Sequence, residues 1–145
     1  ALPAESYRLV QDKTIHGVID IGGDDRGAYA LGRFADAIKA EGDYAMLMVI
    51  NRFRPLTPDV PSTLEVMREI ETACGIPFTG LVNNSNLGEE TTSADVLGSV
   101  AYADEVAKAT GLPLVMTTVK DTLYTELKGQ INNLFPLMLQ DKPFM

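Results

Sequence analysis

A chain of 145 residues with 46% apolar and 22% charged residues has the length of one domain and enough apolar material to bury a core without cross-links. Its one cysteine, Cys74, cannot close an internal disulfide, and no apolar run approaches the roughly 18 residues of a membrane span. The net charge of −8 argues against nucleic acid as a partner, because such binders gain affinity by releasing counterions with Lys and Arg, and no basic segment leads into an apolar one as in a secretory signal, so a cytoplasmic protein is expected.

In chain order, residues 1–14 are a polar lead-in containing Pro3. Residues 15–21 (IHGVIDI) form an apolar run that ends at Gly22 and Gly23, the first expected strand. Residues 26–41 place Ala28, Leu31, Phe34, Ala35 and Ile38 on one helical face. Residues 44–50 (YAMLMVI) are a second strand, and residues 62–74 a helix with Leu64, Met67, Ile70 and Cys74 in its stripe. Residues 78–82 and 112–119 are two further strands, separated by a helix over 95–110 that aligns Val96, Val100, Ala103 and Ala107. A last helix is expected over 121–139, aligning Leu123, Leu127, Ile131, Leu134 and Met138.

The strands show little alternation of apolar and polar residues, as strands buried on both faces of a parallel sheet do. Ser62 with Glu65 and Thr92 with Asp95 have capping-box spacing, and Asp121 can cap the last helix. Gly42, Gly75 and Gly111 each stand between a helix and a strand, where a left-handed residue ends the helix. The rhythm of strand, helix, glycine, strand predicts an α/β fold, a three-layer, doubly wound, mostly parallel sheet of about four strands in a single domain over 1–145.

Two segments could carry chemistry. In VIDIGGD, residues 18–24, an apolar strand runs into Asp20, and Gly23 follows three residues later. Ligands of parallel α/β sheets bind beyond the carboxyl ends of the strands. A carboxylate there can hold a water on Mg²⁺, and Gly22 and Gly23 let the backbone come close to a terminal phosphate. The same residues also suit a helix cap followed by a tight turn. In GLVNNSN, residues 80–86, Asn83 and Asn84 can each offer a donor and an acceptor to a purine edge. The competing reading is an Asx-rich turn. Asn51 also ends a strand and is an alternative.

These two motifs, in this order, resemble the MinD/ParA branch of the P-loop ATPases, with a deviant Walker motif, over residues 15–139. The resemblance implies that Asp20 to Gly23 is a Walker B segment with its switch glycine. It further implies that Asp20 is catalytic and organises Mg²⁺ through water, that Gly22 and Gly23 sense the γ-phosphate of ATP, and that Asn83 or Asn84 contacts the base. No GxxxxGK[ST] occurs anywhere in the chain, so the cradle of N–H groups and the lysine for the β- and γ-phosphates are lacking. The chain then corresponds to the C-terminal part of a longer nucleotide-binding domain, or to a degenerate relative, and is expected to be inactive alone. Asn86 stands where guanine-reading enzymes carry Asp, which does not support GTP. A protein partner or a homodimer is expected.

The alternative function is a non-catalytic interaction module on the same scaffold. A receiver-like domain would use Asp24, Asp25 and Lys120, but their spacing and order fit poorly. His16 is the only histidine, which leaves no His-based triad or metal cluster. Arg52 and Arg54, and Glu89 with Glu90, read as solvated loop charges, and Cys74 as core. The apolar tail has only Lys128 as a basic residue before Lys142, whereas interfacial helices carry several, so a membrane partner is not expected.

Overall fold

A computed structural model describes Arg8, Asp12 and residues 14–22 and 25–140. The fold is α/β, with a four-stranded, all-parallel sheet flanked by helices, consistent with the doubly wound class. The elements are α1 (Asp25–Gly32), α2 (Ala35–Glu41), β1 (Leu47–Ile50), α3 (Val60–Cys74), β2 (Gly80–Asn83), a 3₁₀ turn (Gly88–Glu90), α4 (Ser93–Thr110), β3 (Leu114–Lys120), α5 (Asp121–Leu127) and β4 (Leu134–Leu137). They fall into two compact units, residues 1–46 with 65–78, and residues 47–64 with 79–145.

In the first unit Ala28 and Leu31 of α1, Ala35 of α2, Cys74 of α3 and Ile76 form one buried cluster, with Ile21, Ile38, Tyr44 and Ile70 packed on it. The single helix expected over 26–41 is two helices, broken at Arg33 and Phe34. After the break Ala35 and Ile38 still join the cluster, and Phe34 is buried. Cys74 is core as expected, and its thiol donates to the Ile76 carbonyl oxygen at 3.5 Å.

Residues 15–21 do not form the expected strand. Nothing pairs with them in a ladder, and Val18 is 92% exposed. An apolar run becomes a strand only where a neighbour takes its N–H and C=O groups.

In the second unit the strands stand in chain order, β1-β2-β3-β4, all parallel. Helix α4 packs against β2 and β3, and α5 against β3 and β4. Val96 of α4, Val119 of β3, Leu127 of α5 and Ile131 make its buried cluster. Successive strand residues point to opposite faces. One face carries Met48, Ile50, Leu81, Asn83, Thr117 and Val119, all buried. On the other, Leu47, Val49, Phe135 and Leu137 are exposed, Val49 by 56%. Helices α4 and α5 both pack on the first of these faces, which accounts for the difference.

The last expected helix ends at Leu127, and Leu134–Leu137 is strand β4 instead. Lys128 to Asn133 turn the chain, with Asn133 left-handed at φ 54°, and β4 then pairs with β3 from Thr117↔Leu134 to Lys120↔Leu137. Pro136 lacks an N–H and is tolerated here on an edge strand.

The caps explain where the helices start. Thr92 and Asp95 form the reciprocal capping box on α4. Helix α3 begins earlier than expected because Asp59, not Ser62, accepts the free N–H of its first turn, from Ser62 at 2.9 Å. That hydrogen bond and the Ser62 hydroxyl hold the Asp59 carboxyl below its ordinary pKa. Asp121 is the first residue inside α5, with Lys120 at the cap position and no side-chain cap. Gly42, Gly75 and Gly111 are all left-handed at φ 73°, 75° and 73°, as the sequence requires.

Truncating the buried Leu127 to Ala is expected to cost about 3 kcal/mol by loss of burial plus a cavity. Val49→Ala, on the open face, is expected to cost under about 0.5 kcal/mol. Urea unfolding of the two variants checks both, and a comparable loss for each would show that Val49 is covered.

Candidate functional site

The carboxyl edge of the second unit's sheet gathers the loop after β1, the asparagine turn after β2 and the end of β3. At the first, the Asn51 side-chain oxygen accepts the Phe53 N–H at 2.9 Å, and the Thr57 hydroxyl donates to the Asn51 carbonyl at 2.7 Å. The Arg52 guanidinium donates to the Gly98 carbonyl at 3.2 Å and lies 5.7 Å from the Phe53 ring centre. Arg54 is exposed, as a solvated loop charge would be.

Asn83, the last residue of β2, is 0% exposed. Its Nδ2 donates to Ser99 Oγ at 2.9 Å, and its Oδ1 accepts from Ser85 Oγ at 2.7 Å. Ser85 Oγ in turn accepts the Arg52 N–H at 3.0 Å, and Ser99 Oγ donates to the Val96 carbonyl at 2.6 Å. Asn83 therefore faces the helix-covered side of the sheet with both ends of its amide engaged within the protein.

Asn84 projects to the opposite side and is half-buried. Its N–H extends the ladder by donating to the Ile50 carbonyl at 2.8 Å. Its Oδ1 accepts from the Thr118 hydroxyl of β3, and from Asn86 Nδ2 at 3.4 Å. Its own Nδ2 donates to no protein atom among the described residues, so one amide donor beyond the strand end is open to a ligand.

The rest of the turn is closed on itself, as an Asx-rich turn would be. Asn86 Nδ2 donates to the Asn84 carbonyl at 3.1 Å, and Asn86 Oδ1 accepts the Gly88 N–H at 3.1 Å. Thr91 Oγ1 accepts the Leu87 N–H at 2.7 Å and donates to the Gly88 carbonyl at 2.8 Å. Lys120 Nζ reaches from β3 to the Glu89 carbonyl at 2.7 Å. Asn51 Nδ2 donates to the Asn86 carbonyl at 3.5 Å, a long contact from the neighbouring loop.

The other expected site residues belong to the first unit. Asp20 and Gly22 are exposed, in a segment without regular structure. Gly23 and Asp24 lie outside the described residues. No group of three or more His, Cys, Asp or Glu side chains able to hold a metal occurs among the described residues. The single carboxylate of Asp20 suits Mg²⁺ only in the manner of a site completed by water and phosphate oxygens. His16 is exposed.

Ser85, Ser99 and Thr118 are site residues that motif reading passed over. Ser99 had a signal: it sits between Val96 and Tyr102 on the buried stripe of α4, and a small polar residue on such a stripe needs a buried partner. Thr118 carried none, because its meeting with Asn84 depends on the register between β2 and β3.

Below this edge, Tyr102 OH and Thr63 Oγ1 lie 2.6 Å apart, and Thr63 also donates to the Asp59 carbonyl at 2.8 Å. Burial pushes the Tyr102 phenol above its ordinary pKa, against the lowering effect of the neighbouring Thr63 and Thr57 hydroxyls. No helix among the described residues is long and apolar enough to cross a membrane. Comparison of the chain with protein-family models, with curated proteins and with solved structures finds no match.

The raised Tyr102 pKa sets the sign of a pH effect. The unfolded phenol ionises first, so this contribution to stability is complete below about pH 10 and is lost as pH rises through the folded value. Urea midpoints measured from neutral to alkaline pH are expected to fall less steeply for Tyr102→Phe than for the parent chain. Identical slopes would show that Tyr102 does not govern alkaline unfolding.

Proposed function

We propose that these residues are the portion of a MinD/ParA-like nucleotide-binding domain from Walker B to the C-terminus. The observation that carries this reading is the Asn84 carboxamide, placed beyond the carboxyl end of an inner parallel strand with an open donor. That is where open α/β sheets take their ligands, and an amide can both give to and accept from a purine edge. Of the two asparagines, Asn84 is assigned the base, because the buried Asn83 has no free polar atom to offer.

In this reading Asp20 holds a water on Mg²⁺, and the backbone at Gly22 and Gly23 approaches the terminal phosphate of ATP. The chain carries no GxxxxGK[ST], so it has no lysine to neutralise charge on the transferred phosphoryl group, and on its own it is expected not to turn over ATP. A competing reading, a non-catalytic module that binds a protein partner or a second copy of itself, draws support from the exposed Leu47, Val49, Phe135 and Leu137 on one sheet face.

Titrating the ¹⁵N-labelled chain with adenosine separates the two. Amide resonances of Asn84 and Thr118 are expected to shift, with dissociation in the millimolar range. Asn84→Ala is expected to weaken binding about fivefold, the worth of one hydrogen bond of about 1 kcal/mol. No shift at these residues up to about 10 mM adenosine would sink the nucleotide reading and leave the interaction module.

A further inference from the structure

A fully buried carboxamide is costly unless each of its ends is paired, and Asn83 is paired by hydroxyls from two different segments. The proton bookkeeping is consistent throughout. Ser99 gives its one proton to the Val96 carbonyl and can therefore accept from Asn83 Nδ2. Ser85 gives its proton to Asn83 Oδ1 and can therefore accept the Arg52 N–H. A continuous chain of hydrogen bonds thus runs from the backbone of α4, through Asn83, to the backbone of the loop after β1.

Asn84 is the next residue along the strand, and its N–H is bonded to Ile50, two residues before Arg52. We propose, resting on the nucleotide reading above, that Asn83, Ser85 and Ser99 are positioning residues. They clamp the end of β2 between α4 and the loop after β1, and so fix the Asn84 carboxamide for its ligand. Alternation along the strand makes the two roles complementary: Asn83 turns inward and is spent on the clamp, and Asn84 turns outward and is kept for recognition. A chain of mutually polarised hydrogen bonds in a dry environment is stiffer than its single links. Loss of the Ser85 hydroxyl would orphan the Arg52 N–H and one end of Asn83 together.

The test uses the whole 145-residue chain, labelled with ¹⁵N, and the variants Ser85→Ala and Ser99→Ala. Amide hydrogen exchange is read at Arg52, at Asn84 and, as the monitor of global opening, at Thr117 and Val119 in β3. Ser85→Ala is expected to speed exchange about tenfold or more at both Arg52 and Asn84 relative to β3, and to weaken adenosine binding several-fold. Faster exchange at Arg52 alone, with Asn84 and adenosine binding unchanged, would overturn the clamp. A parent chain that binds no adenosine defeats the nucleotide reading, and the Asn84 exchange rate then decides the clamp by itself. Should Ser85→Ala not fold, Ser99→Ala is read at Asn84 in the same way, and an unchanged rate there counts against the proposal.

Discussion

A polar side chain taken out of water needs hydrogen-bond partners, and the fully buried carboxamide of Asn83 finds one for its nitrogen and one for its oxygen within the second unit. Its solution ties together three segments that are distant in sequence: the loop after β1, the turn after β2 and the second turn of α4. An apolar residue at 83 would pack against α4 but would join none of them. Leaving one partner out would cost more than omitting the whole network, because the remaining groups would stay buried and unpaired. The carboxyl edge of the sheet is therefore held by buried polar bonds as well as by apolar packing.

The same demand operates on the turn beyond. Asn86, Thr91 and Lys120 take up carbonyls and N–H groups of the turn, so residues 84–91 keep a defined course with only the short 3₁₀ turn Gly88–Glu90 as regular structure. Asparagine suits both positions 83 and 84 for opposite reasons. At 83 its two ends are consumed by the protein, whereas at 84 its oxygen is held by Thr118 and its nitrogen is left over. Among the described residues, the Thr117 hydroxyl oxygen is the one buried side-chain polar atom left wholly without a hydrogen bond. The residue is 1% exposed.

The strand order has its own consequence. With the strands in chain order, α4 and α5 pack on one face of the sheet, and that face holds Ile50, Leu81, Val119 and the Asn83 network. The opposite face presents Leu47, Val49, Phe135 and Leu137. Parallel sheets are ordinarily covered on both sides, and the apolar character of these residues agrees with the unbroken apolar runs in the sequence, which show no solvent-facing alternation.

The sequence by itself determined the α/β class, the three strands β1 to β3 and the glycines that end the helices, because each depends on local periodicity or on a left-handed backbone that glycine accepts. It also determined the capping box at Thr92, a contact between residues three apart. Only the tertiary structure decided the fate of residues 15–21 and of Leu134–Leu137. An apolar run is a strand only if a neighbour pairs with it, and a helical stripe yields to a ladder when an open edge such as that of β3 is within reach. The division of labour between Asn83 and Asn84 was likewise decided there. Two adjacent asparagines look alike in sequence, and what separates them is which face of the sheet the helices cover and where Ser99 and Thr118 arrive from 16 and 34 residues away.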